Sequence, residues 1–178
     1  MKIYNYILAF GLFTLSALKF AKACNGYSVT LNHVKNCMTG GVIAFSGDSQ
    51  VVFDKECNLA MAGCVEISKD FSTNQLKYTI NKAPMPPIEG EIDACEAVKN
   101  IKDTTLLSAL KTFSVPTQCP VKAEKICSSL DQKVNLGKYK NQLGMVAGTV
   151  DIKLEGKHDS GKSCLEINFT LAKEKRAG

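Results

Sequence analysis

The chain has 178 residues, with 22 basic and 17 acidic side chains, 45% hydrophobic residues and eight cysteines. Three of the basic residues, Lys2, Lys19 and Lys22, and none of the acidic ones precede Cys24, so residues 24–178 carry a net charge of only +2. That near-neutral balance removes the electrostatic basis for nucleic-acid binding, and the length allows one domain with a proper core but not two comfortable ones.

In chain order, residues 1–23 read as a secretory signal: Lys2 supplies a positive start, and Ile7 to Leu18 an apolar stretch far shorter than a membrane span. Ala21 and Ala23 suit a small-residue cleavage site that would leave Cys24 first, and cleavage a few residues away is equally compatible. Lipid attachment at Cys24 is the rival reading, to which Lys22 is a poor fit. No second apolar segment approaches membrane-spanning length, so residues 24–178 are expected to form a soluble domain, extracellular or in a lysosomal lumen.

Tyr27 to Phe53 is rich in β-branched and aromatic residues, broken at Met38-Thr39-Gly40-Gly41 and Ser46-Gly47-Asp48-Ser49, which predicts two or three strands. Leu76, Tyr78 and Ile80 alternate with Lys77, Thr79 and Asn81, the period of a strand with one buried face. The apolar loop Ala83-Pro84-Met85-Pro86-Pro87-Ile88 follows, and its prolines confine it to a sheet edge or rim. The period then changes: Val98, Ile101, Leu106, Leu107, Leu110 and Phe113 fit one face of a helix, with Asp93 and Glu96 as a capping pair and a break near Asp103-Thr104-Thr105. After Pro116 strands return at Lys125–Val134, Val146–Leu154 and Leu165–Leu171. In the last two, Val150, Ile152 and Leu154, then Leu165, Ile167, Phe169 and Leu171, fall on one face, and Lys157 to Gly161 forms a hairpin connection. Asn168-Phe169-Thr170 is a sequon with its asparagine on the wet face, either a glycosylation site or an unused exposed asparagine. Seven or so short strands with one helical insert predict an all-β, immunoglobulin-like β-sandwich.

Cys24, Cys37, Cys57, Cys64, Cys95, Cys119, Cys127 and Cys164 are even in number behind an export signal, which reads as four disulfides. There is no C-x-x-C and the two histidines, His33 and His158, lie far apart, so neither metal nor cofactor is expected. Catalytic residues are not expected either. His158-Asp159-Ser160 holds triad residue types only as neighbours in a polar turn, Glu89 and Glu91 flank Gly90 in a polar loop, and Gly40-Gly41 lacks a phosphate-loop pattern.

The stretch from Asp93-Ala94-Cys95 through Leu106-Leu107-Ser108-Ala109-Leu110 to Cys119-Pro120-Val121-Lys122 resembles the central part of the ML lipid-recognition superfamily, in its ganglioside-activator branch and related invertebrate secreted proteins. Gly137-Lys138-Tyr139, Val150-Asp151-Ile152 and Gly161-Lys162-Ser163-Cys164-Leu165-Glu166-Ile167 are similar to that family's closing strands and late cysteine. The resemblance implies a sandwich whose sheets part to hold a lipid, sterol or glycolipid. It also implies a Cys95–Cys119 disulfide and a bond from Cys164 to Cys24 or Cys37. Cys57 and Cys64 are close enough in sequence to close a local loop, and Cys127 has no assigned partner.

The function expected is therefore a secreted, monomeric lipid carrier, extractor or presenter with transient contact at membrane surfaces. Its candidate ligand-binding residues are Leu76, Tyr78, Ile80, Met85, Ile88, Leu106, Leu107, Leu110, Phe113, Val150, Ile152, Phe169 and Leu171. The alternative is a secreted interaction or effector protein, for immune recognition, salivary action or protease inhibition, whose core is filled.

Overall fold

A computed structural model describes residues 24–173, so the secretory-signal reading of residues 1–23 lies outside the described residues. Among the described residues nine strands form: β1 (Tyr27–Asn36), β2 (Ile43–Phe53), β3 (Asn58–Ile67), β4 (Asn74–Asn81), β5 (Ile88–Asp93), β6 (Glu124–Ser128), β7 (Lys133–Asn135), β8 (Gly148–His158) and β9 (Gly161–Lys173). Three short α-helices accompany them: α1 (Ala94–Lys99), α2 (Thr104–Thr112) and α3 (Leu143–Val146). The strands make two antiparallel sheets, β1-β9-β8-β4-β5 and β2-β3-β6, with β7 also paired to β3. The molecule is thus an all-β sandwich with a small helical insert.

Alternation sets the longest ladder. Val150 opposes Phe169, Ile152 opposes Ile167 and Leu154 opposes Leu165, so the apolar set of β8 and β9 shares one face, as directly opposed residues must. In β1 a bulge between Leu31 and His33 shifts the register, which brings Leu31 and Val34 onto that face although they are three apart. His33 pairs with Asn168 on the opposite, wet face. There the Asn168 amide donates to Asp151 and accepts from Asn32, so the sequon asparagine sits in a strand paired on both sides.

The helical stretch is interrupted at the expected break, giving two helices because Asp93 and Asp103 each cap one: Asp93 accepts from the Glu96 N–H, and Asp103 from those of Thr105 and Leu106. Several other expectations are corrected. Ser46 to Ser49 does not end a strand but forms an irregularity within β2. The sequence reading assigns no strand to residues 58–67, yet β3 is the centre of the second sheet. Glu89-Gly90-Glu91 is part of edge strand β5 rather than a loop, and the Tyr78 ring lies across Gly90, where an added Cβ would fall 2.3 Å from the phenol oxygen. Lys125–Val134 divides into β6 and β7, and β8 begins at Gly148 because Val146 closes α3.

The disulfides are Cys24–Cys57, Cys37–Cys164, Cys64–Cys127 and Cys95–Cys119. No Cys57–Cys64 loop forms: Cys57 precedes β3 and bonds Cys24, while Cys64, within β3, bonds directly across the ladder to Cys127 of β6.

Two buried clusters hold the sheets together at separate places. One joins Cys24, Tyr27, Cys57, Leu143 and Leu171; the other joins Val42, Ile67, Phe71 and Val121. Along one side β1 lies against β2, and the Asn36 side chain bonds both backbone groups of Phe45, donating to its carbonyl and accepting from its N–H.

Candidate binding cavity

Between the two clusters the sheets stand apart around a cavity of about 530 Å³. The first sheet contributes Leu31, Val34, Leu154, Ile167 and, at the start of β4, Asn74. The second contributes Ile43, Phe45, Met61, Val65 and Ile67. Ala94, Cys95 and Val98 from α1 and the segment Phe113 to Cys119 complete the wall, so the Cys95–Cys119 disulfide fastens helix to segment at the cavity's side. Leu31, Val34, Phe45, Met61, Val65, Leu154 and Ile167 all point between the sheets, yet none reaches full burial. A side chain aimed inward and still accessible lacks neighbours on one side, and the dispersion and transfer energy of that surface is unclaimed. Gln50, Val115 and Gln118 are the exposed members of the wall, which places the opening beside them.

Among the described residues, none that lines the cavity is charged. Such a wall has nothing to compensate a carboxylate or ammonium group removed from water, and it can take apolar material on area alone, at about 25 cal/mol per Å².

The Phe71 cluster closes one end. His158, the last inward residue of β8, is buried against it, with ring centroids 4.4 Å apart and Nε2 2.8 Å from Ser163 Oγ. Burial pushes its pKa down, and the neighbouring Asp159 carboxylate and the Thr73 backbone oppose this only in part. Asn74 stands directly opposite His158 on the β4–β8 ladder, and its Oδ1, like His158 Nδ1, is buried with no hydrogen-bond partner among the described residues. Gly156 makes room here, since a Cβ on it would fall 2.6 Å from Ser163 Oγ and 2.9 Å from His158 Nε2.

Of the residues expected to contact ligand, Phe113 lines the cavity. Val150, Ile152, Phe169 and Leu171 share the inward face of Leu154 and Ile167 but lie toward the other end, where Leu171 is packed by Cys24, Tyr27, Cys57 and Leu143. Leu76, Tyr78 and Ile80 are on the inward face of β4, beyond the cavity wall. Met85 and Ile88 are exposed at the rim of β5, as is Leu106 on α2, while Leu107 and Leu110 are half-buried on that helix, which packs on β7. The sequence reading missed the β1, β2 and β3 contributors; alternation about the β1 bulge could have given Leu31 and Val34.

No family model matches the chain. It is similar to sporozoite-associated mosquito saliva protein 1 of Anopheles gambiae, with 28% identity over 171 residues, 94% of each chain. The similarity therefore runs through both sheets and the helical insert rather than through one motif.

Proposed function

We propose that this protein is a secreted effector of the salivary kind that works by holding a lipid, sterol or glycolipid between its sheets. The observation that carries the reading is the cavity of about 530 Å³ walled by inward side chains of both sheets, none of the described lining residues being charged. Its volume lies within the range of ordinary small-molecule sites. A hollow sandwich forgoes packing, and four disulfides at about 2–4 kcal/mol each offset that loss. Membership of the ML superfamily is part of this proposal, supported by the parted sheets. The reading also includes secretion, in keeping with the saliva relative and the disulfide framework.

Titration of an apolar fluorescent probe into the disulfide-intact protein tests it. Saturable one-to-one binding is expected, weakened about tenfold or more by Val65→Trp, which places an indole in the cavity, and unchanged by Lys153→Glu or Thr170→Lys on the wet face. Absence of saturable binding, or equal loss in both sets, overturns it.

A second reading is favoured by the relative's name: a salivary interaction protein that recognises a macromolecule through its surface, for which the cavity is incidental. The two separate cleanly, because under this reading the Val65→Trp protein keeps full effector activity.

A further inference from the structure

The first sheet ends at β5, which pairs with β4 on one side and, among the described residues, with no strand on the other. The β4–β5 ladder runs without a register shift, so the outer edge presents a regular row of backbone N–H and C=O groups lacking ladder partners. Its two faces differ in kind. Inward, beside Leu76, Tyr78 and Ile80 of β4, stand Ile88, Gly90 and Ile92. Ile88 is 51% exposed and Ile92 39%, so the second sheet leaves this part of the first uncovered. Gly90 has no side chain to stop the Tyr78 ring, whose hydroxyl reaches over β5 between the two isoleucines. Outward, Glu89 and Glu91 are exposed and Asp93 continues their row. Neither glutamate has an ion-pair partner among the described residues, although Lys77 opposes Glu91 across the ladder.

The outward row selects among occupants. If a second copy of this chain added its own β5 with the isoleucines on the same face, residues 89, 91 and 93 of the two strands would oppose one another. In every such register, antiparallel or parallel, acid would meet acid. The same carboxylates repel an anionic lipid surface. We propose that β5 accepts an extended peptide segment of a partner protein as a further strand of the first sheet, with Lys or Arg at alternate positions against Glu89 and Glu91 and apolar side chains between them against Ile88, Tyr78 and Ile92. Main-chain hydrogen bonds along the edge supply the attachment, and the alternation of charge and apolar bulk supplies the choice of partner. Covering the isoleucines removes apolar surface from water, and each glutamate gains a charged donor. Neither Tyr78 nor any residue of β5 lines the cavity, so this site is independent of the lipid reading and gives surface recognition a place and a partner chemistry.

The test is fluorescence anisotropy of the labelled peptide Lys-Val-Lys-Ile-Lys-Val-Lys with the disulfide-intact protein. Saturable binding is expected, about tenfold or more tighter than for Glu-Val-Glu-Ile-Glu-Val-Glu or for the same lysines and apolar residues in block order. Methylating alternate backbone nitrogens of the peptide removes the ladder and keeps the side chains, so one of the two alternate sets should weaken binding about tenfold or more. Glu89→Lys with Glu91→Lys changes only exposed side chains and should reverse the preference between the lysine and glutamate peptides. Val65→Trp should leave peptide binding unchanged. No saturable binding, equal binding of the alternating and block-order peptides, indifference to both methylated sets, or an unreversed preference in the charge-swapped protein overturns the inference and leaves the cavity reading intact. A dimer in sedimentation velocity that Ile88→Ser with Ile92→Ser abolishes would assign the edge to a second copy. Co-sedimentation with phosphatidylcholine vesicles lost in that same variant would assign it to a membrane, and either result overturns the inference.

Discussion

His158 makes the protein's stability depend on pH in a direction that can be worked out. Burial against Phe71 depresses its pKa in the folded state, so the folded chain keeps the ring neutral where the unfolded chain already takes up a proton. The contribution is complete above the ordinary histidine value of about 6.5 and is lost as pH falls below it toward the depressed folded value. Thermal melts between about pH 7 and 5 should show Tm falling, and His158→Gln should flatten that part of the slope. Gly156→Ala should cost about 1–3 kcal/mol, read by denaturant unfolding, because the new Cβ meets Ser163 and His158 below contact distance. The residue types were visible in the sequence, but their roles were not. His158-Asp159-Ser160 reads as one polar turn, whereas the turn proper is Asp159 and Ser160, and His158 continues the inward series Val150, Ile152, Leu154, Gly156. Asp159 serves the turn by accepting from the Ser72 and Thr73 N–H groups, a contact across 87 residues that no local pattern announces.

Among the elements, α2 depends on Asp103 twice. Its carboxylate caps the helix through Thr105 and Leu106, and it also accepts from Lys138 Nζ at 2.8 Å and Tyr139 Oη at 2.5 Å, which ties the helix to the turn at Gly137–Tyr139. The Lys138 ammonium, then the Tyr139 hydroxyl, hold this carboxyl well below the usual carboxylate range, so its contribution is present above the ordinary aspartate value and fades in acid below it. Asp103→Ala should raise amide exchange across Thr104–Thr112 while leaving β8 and β9 protected; uniform loss of protection would contradict this account of the helix. The caps were legible because Asp before a helical period has a local cause. Strand β3 was not: Leu59-Ala60-Met61-Ala62-Gly63 carries small or apolar residues on both faces, as befits a central strand, so the period-two signal disappears. Strand β5 was hidden by the prolines before it and by Glu89 and Glu91, which face outward from an edge.

At the scale of the molecule, the all-β class, the two-sheet arrangement and the inward face of β8 and β9 could be read from alternation alone. The position of the cavity could not. Val150 and Leu171 have the same pattern as Leu154 and Ile167, and what separates the packed pair from the accessible one is the arrival of Cys24, Tyr27 and Leu143 at one end, fixed by the Cys24–Cys57 bond between residues 33 apart. Pairing of eight cysteines is likewise a property of the folded sheets: Cys64 and Cys127 meet because β3 and β6 are neighbours, 63 residues apart in sequence. Removing the Cys95–Cys119 bond by Cys95→Ala with Cys119→Ala should lower stability by about 2–4 kcal/mol and, since both residues line the cavity, speed release of the apolar probe in stopped-flow chase. The most direct measurement of the central claim is organic extraction and mass spectrometry of the protein purified from its native source without detergent. About one lipid or sterol per chain, absent from a Val65→Trp control, is the result expected; an extract holding no stoichiometric apolar molecule from protein that also takes none up would contradict it.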